Sequence, residues 1–213
     1  MRPLLRTLVL SAAVLRLVAA PAPGAAGEPA AEDRQARLAR GEVLLSAALP
    51  DDAEPGAAGG TATALVRATP EAVWQVLVDY AGHASIFPRV AEASILEAEP
   101  GRTLVRYVIG AGPLSFTFHV NNYPDPGHRR LEWRLAQDRR NGLFRANCGY
   151  WRLEPGPGGV VLTYAIAART VLPAFLTRGA EREGLLETIK AVRRRAEAIS
   201  PASAGPRPEP SRS

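Results

Sequence analysis

The sequence predicts an α+β fold: one curved antiparallel sheet holding one long C-terminal helix. Three observations carry this. Six strand-like runs follow one another between residues 91 and 169, about ten residues apart. The links between them are short and rich in Pro, Gly, Asn and Asp, so successive runs are joined as antiparallel hairpins. Beyond the last run the apolar residues step by three and four instead of alternating, which marks a helix reaching Ile199.

The elements follow in order. Arg2 and Arg6 precede an apolar core, Leu8–Leu15, and small residues with proline run on through Gly27. That three-part pattern over residues 1–26 predicts an export leader, cleaved after Ala20 or Ala26, and a periplasmic destination. Arg16 interrupts the apolar stretch and keeps two alternatives open, an uncleaved interfacial anchor and an organellar transit peptide. Residues 27–60 read as an N-terminal extension. It holds a short polar helix at Glu32–Arg40, a strand at 42–48 taken as the first half of strand one, and a loop from Pro50 to Gly60.

The patterned domain spans 61–199. Its first strand is Thr61–Arg67. Thr69-Pro70-Glu71 then supplies an N-cap, a proline at the first helical position and an acid in the first turn, so a helix runs to about Asp79. A second short helix, Ala81–Phe87, stops at Pro88. The six runs are Ala91–Glu97, Arg102–Ile109, Leu114–Asn121, Arg129–Ala136, Leu143–Leu153 and Val160–Arg169. The closing helix, Pro173–Ile199, presents Leu186, Ile189, Val192, Ala196 and Ile199 as one apolar stripe. Residues 200–213, with four prolines and three serines among the last thirteen, lack the apolar content for a core and read as a disordered tail.

Composition narrows the function classes. The formal charge is +5, but three arginines lie in the acid-free first 26 residues, which leaves 23 basic against 21 acidic side chains. No nucleic-acid partner is implied by so even a balance. Cys148 stands alone, which excludes an intramolecular disulfide and a cysteine-built metal cluster. No apolar run approaches the ~18 residues of a spanning helix.

Strand alternation predicts where a binding site would lie. On 114–121, Leu114, Phe116, Phe118 and Val120 share one face, and Ser115, Thr117, His119 and Asn121 share the other. Leu131, Trp133 and Leu135 point together on the next run, as do Val160, Leu162, Tyr164 and Ile166 on the last. The inner faces are therefore large, aromatic and nearly free of charge. Candidate ligand-contacting residues are Tyr107, Phe116, Phe118, Trp133, Trp151 and Tyr164, with Phe175 and Leu176 at the start of the last helix. An ordinary filled core is the competing reading of the same aromatics. The faces of two runs stay open: Tyr107 shares its side with Val105 and Ile109, opposite Leu104 and Val108, while Trp151 and Leu153 oppose Phe144, Ala146, Cys148 and Tyr150. A bulge would switch sides in the latter.

Catalytic equipment is sparse. His83 and His128 read as surface residues and His119 falls on a polar face, so no catalytic residue is assigned. Cys148 sits mid-strand with no nearby histidine and fits an inert small hydrophobe. Metal-ligand spacing and a glycine-rich phosphate loop are both absent, so no cofactor is implied. Gly179 and Gly184 in the last helix are read either as close packing against the sheet or as a softened segment at a cavity mouth.

Five sequence pieces in this order resemble the START-like superfamily, in its polyketide cyclase/dehydrase and coenzyme-Q-binding branch. They are Thr69–Trp74, Asp79–Val90, Gly149–Pro155, Val160–Tyr164 and Leu172–Phe175. The resemblance implies a helix-grip fold, a seven-stranded antiparallel sheet wrapped around the C-terminal helix with a cavity between them. It also implies a hydrophobic small-molecule partner.

Three functions follow from this reading. The first is non-catalytic binding or transport of a lipid, isoprenoid or quinone by an exported monomer. The second is a cyclase/dehydrase-type enzyme acting in the same cavity, which would need an inward Arg106, Arg152 or Tyr164 hydroxyl; a buried, paired Arg or His at the cavity wall would speak for it. The third is a protein-binding module with a filled core. Arg193–Arg195 and Arg139-Arg140 read as solvated surface, with transient docking on anionic lipid headgroups as the alternative.

Overall fold

The computed structural model describes residues 28–111, 114–172 and 180–200. The expected leader, the tail from 201, Phe175, Leu176 and Gly179 lie outside the described residues. Helix α1 (Glu28–Ala39) leads into β1 (Val43–Ser46) and β2 (Ala58–Val66). Then come α2 (Pro70–Val78), a single 3₁₀ turn (Tyr80–Gly82) and the one-turn α3 (His83–Ile86). Six strands follow: β3 (Val90–Glu99), β4 (Arg102–Ala111), β5 (Leu114–Asp125), β6 (Arg130–Leu135), β7 (Phe144–Gly156) and β8 (Gly159–Thr170). Helix α4, Ala180–Ile199, closes the described chain.

All eight strands form one antiparallel sheet in the order β1-β2-β8-β7-β6-β5-β4-β3. Hairpin links alone give the run from β3 to β8. The sheet gains one member over the expected seven. Residues 43–46 are not the first half of strand one but an edge strand antiparallel to β2, with Val43 opposite Ala64 and Ser46 opposite Thr61. The loop between them reverses the chain through two backbone turns, Pro50 to Ala53 and Glu54 to Ala57, with Gly56 at φ 77°.

The N-cap before α2 forms as expected: the Thr69 hydroxyl accepts from the Ala72 N–H. Asp79 caps the following 3₁₀ turn by accepting from the Gly82 N–H. These two caps bend the chain back toward the sheet, so that α3 enters over its inner face.

Helix α4 packs chiefly on β2 and α2. Its buried stripe is Leu185, Ile189, Val192 and Ala196. The expected stripe is thus displaced at both ends, with Leu186 only half-buried and Ile199 41% exposed. Leu185 lies four residues before Ile189, a straighter continuation of the row than Leu186.

The inner face of β6 and β7 shows why one glycine is required. Gly149 is paired with both Trp133 and Ile166. A β-carbon at 149 would overlap the Trp133 indole and the Ala165 carbonyl. Trp133 lies flat across β7 because position 149 has no side chain. Gly149→Ala is therefore expected to cost about 1–3 kcal/mol, the range of overpacked cores, measured by urea denaturation at constant m-value.

Candidate ligand cavity

The last helix covers only part of the sheet, and a cavity of about 180 Å³ remains between its N-terminal half and the inner faces of β4 to β8. Strand period two brings the aromatics there. Tyr107 is directly opposite Phe118 across β4 and β5, and Trp151 is opposite Tyr164 across β7 and β8. Trp133, Tyr164 and Trp151 form one aromatic cluster, with ring centroids 5.7 Å apart for the first pair and 4.2 Å for the second. His83, Tyr107 and Phe118 form a second, with centroids 5.9 and 5.4 Å apart.

Five of the expected contact residues therefore line the cavity: Tyr107, Phe118, Trp133, Trp151 and Tyr164. Phe116 is on the same face as Phe118 but half-exposed, one step nearer the start of β5, and is not part of the lining among the described residues. The two open strand faces resolve cleanly. Tyr107 points inward, and a bulge between Phe144 and Ala146 puts Phe144 on the same side as Trp151. The Phe144 ring then meets Phe118 edge-on at 4.9 Å.

The reading of His83 as a surface residue is corrected. The side chain is only 6% exposed and lines the cavity. Its Nε2 lies 3.2 Å from the Leu77 carbonyl, which can only accept, so Nε2 carries the proton in the neutral ring. Nδ1 is then a lone-pair acceptor, and the Tyr107 hydroxyl donates to it at 2.8 Å. Burial drives the imidazole pKa down to about 4, against smaller opposing effects of the Leu77 and Val76 carbonyls and Asp79. Burial also holds the Tyr107 and Tyr164 phenols far above the ordinary range. The neighbouring Tyr80 phenol is pushed up to about 12 by the same cause, and its buried hydroxyl has no partner among the described residues.

Two carboxamides also line the cavity. Asn147 accepts from the Trp133 indole N–H at 2.8 Å, and Asn122 donates to the Thr103 carbonyl at 3.3 Å. Both had a sequence signal. Asn122 continues the even-numbered inner row of β5, and Asn147 shares the odd-numbered row of Gly149 and Trp151. His83 had none, because a one-turn helix carries no periodicity.

At the mouth, exposed Pro88 and Arg89 face Gly184 and Glu187 of α4. The Arg89 guanidinium lies 3.4 Å from Glu183 and 3.3 Å from Glu187. All three side chains are well exposed, so these pairs are a weak clasp. Among the described residues a β-carbon on Gly184 would meet nothing within 4 Å, so packing against them is not the reason for that glycine. Arg106 and Arg152 are not in the lining; they pair with Glu92 at 3.0 Å and Glu154 at 3.2 Å. His119 lies on the opposite face of β5 from Phe118, as expected, although its Nδ1 is covered and unpartnered among the described residues. Cys148 is half-buried beneath the Asp52 carbonyl, and burial raises its thiol to about 11.

Residues 58–198 match the model of the family described as polyketide cyclase / dehydrase and lipid transport. The chain belongs to this family. Solved structures similar to this family member include an aromatase/cyclase from a Streptomyces species, at 22% identity and a TM-score of 0.55, covering 67% of this chain and 96% of that one. A START superfamily protein from Mycobacterium smegmatis matches at 19% and 0.57, covering 66% and 97%. A STAR-related lipid transfer protein from Xanthomonas axonopodis matches at 19% and 0.57, covering 72% and 98%. At these identities the likeness establishes the START-like, helix-grip fold. None of the curated proteins compared with the chain matches it significantly.

The buried imidazole links stability to pH. Its pKa is lowered from 6.5 to about 4 on folding, so between those values the unfolded chain binds a proton that the folded chain refuses. Stability is therefore lost as pH falls from 6.5 to about 4, by roughly 3 kcal/mol in full, and is intact above 6.5. Urea denaturation at pH 7 and at pH 4.5 checks this: the drop is expected to be smaller in His83→Gln than in the wild type.

Proposed function

We propose that the cavity binds a compact apolar molecule and that the protein carries or senses this ligand without transforming it. The observation that supports this best is the lining itself, an aromatic wall in which no formally charged side chain is buried among the described residues. At about 180 Å³ the space is below the ~300–1,000 Å³ of common ligand pockets. It suits a ring system or a short isoprenoid; a long lipid tail would have to pass the mouth at Arg89. Affinity would come from apolar burial at about 25 cal/mol per Å², before the costs of association. The family description, which names both cyclases and lipid transport, is compatible with this reading.

The paired, buried His83 favours a second reading, an enzyme of the cyclase/dehydrase type. Its chemistry argues the other way. General acid–base catalysis works best with a pKa near the operating pH. A histidine lowered to about 4 is a weak base, and a phenol raised by burial is a poor acid. The pair is better suited to hold a ligand than to move a proton.

Export to the periplasm is part of the proposal, supported by Arg2, Arg6 and the apolar run Leu8–Leu15. Native mass spectrometry of protein purified from its own source, followed by organic extraction, tests both points. A stoichiometric apolar molecule is expected, on a chain shortened by 20 or 26 residues. Protein that is empty and also refuses a fluorescent apolar probe would sink the carrier reading. Gly184→Phe fills the open side of α4 and is expected to lower probe affinity at least tenfold while the fold persists by circular dichroism.

A further inference from the structure

Four polar side chains of the cavity, His83, Tyr107, Asn122 and Asn147, each have a hydrogen-bonding role fixed by a neighbour. The Leu77 carbonyl forces the proton of His83 onto Nε2. Nδ1 must then accept, and the Tyr107 hydroxyl spends its single proton on it. What Tyr107 has left is the lone pairs of Oη. The Thr103 carbonyl likewise takes an N–H of Asn122, which leaves its Oδ1 as an acceptor. The Trp133 indole, a donor only, holds Asn147 Oδ1 and leaves the Asn147 amide N–H free to donate. Tyr107 thus offers acceptor lone pairs alone inside an aromatic wall, whereas Asn122 and Asn147 keep both an N–H and an oxygen lone pair, and the Tyr164 and Thr188 hydroxyls complete the uncharged polar lining.

We infer that the ligand is an uncharged apolar molecule bearing a hydroxyl, that Tyr107 Oη accepts this hydroxyl's hydrogen bond, and that His83 is the positioning residue that makes Tyr107 an acceptor. The inference rests on the ligand-binding reading above and names the class of ligand. A carboxylate beside Tyr107 Oη meets acceptor lone pairs and loses its hydration with no buried cation among the described residues to offset it. Arg89 is the cation of the mouth, and Glu183 and Glu187 already engage it. A hydrocarbon without the hydroxyl leaves the lone pairs of Tyr107 Oη dry and without a donor, a loss that a hydroxylated ligand avoids.

Equilibrium dialysis of the full chain at pH 7 with naphthalene, naphthol and naphthoate reads this directly. Naphthol is expected to bind about five- to tenfold more tightly than naphthalene, the usual worth of one buried hydrogen bond. Naphthoate is expected to bind at least tenfold more weakly than naphthalene. Equal affinities for naphthol and naphthalene would overturn the inference and leave the apolar-binding reading standing; so would naphthoate as the tightest ligand. Failure of all three would overturn the binding reading and this inference with it.

Two variants separate the roles. Tyr107→Phe is expected to abolish the preference for naphthol while naphthalene affinity stays within about twofold; a preference that survives would overturn the assignment to Tyr107. His83→Leu releases the Tyr107 proton for donation. The ratio of acetylnaphthalene to naphthol binding is then expected to rise severalfold over the wild type. A merely structural His83 would lower both affinities together, and that result would overturn its positioning role. The wild-type comparison needs neither variant to fold.

Discussion

One helix cannot cover eight strands, and the rest of this molecule follows from that mismatch. At ~4.8 Å per strand the sheet is roughly 34 Å across, whereas a helix with its side chains is ~10–12 Å wide. Helix α4 spends its buried stripe on β2 and α2. The inner faces of β4 to β8 must find other cover. Large aromatic rings supply much of it, the α2–α3 segment supplies more, and the remaining gap is the cavity. Gly149 lets Trp133 lie down across β7, so the aromatic wall has a floor on which to rest.

The same mismatch explains the polar inventory. A buried polar group is costly unless it is hydrogen-bonded. Tyr107, Asn122 and Asn147, all in the lining, each meet that demand with one fixed partner and keep further hydrogen-bonding capacity free. His83 plays its part from a one-turn helix held in place by the Asp79 cap and the Leu77 carbonyl. Among the described residues the charges of the lining lie at the mouth, where Arg89 pairs with two glutamates of α4 within reach of water.

Much of the fold was legible in the sequence because the strands of this sheet have one buried and one wet face. Period two named Phe118, Trp133 and Tyr164 as inward residues, and the turn residues named the hairpins. The parts that were not legible share a cause: too few residues to show a period. Four residues of β1 cannot reveal whether they extend a strand or pair beside it. His83 sits on a helix of four residues. Leu185 and Leu186 are adjacent in sequence, and only the packing against β1 and β2 chooses between them. Asn122 and Asn147 were readable by parity, but a polar side chain at the end of a run or beside a bulge looks like the boundary of a strand, not part of its buried face.

The central claim is that the space between sheet and α4 admits an apolar molecule. The three tryptophans provide an internal test, since Trp133 and Trp151 line the cavity and Trp74 does not. Indole N–H signals followed by NMR during titration with naphthalene separate them. The account predicts saturable shifts of the Trp133 and Trp151 signals, with the Trp74 signal unmoved. Shifts confined to Trp74, or none at a concentration near naphthalene's solubility limit, would contradict it.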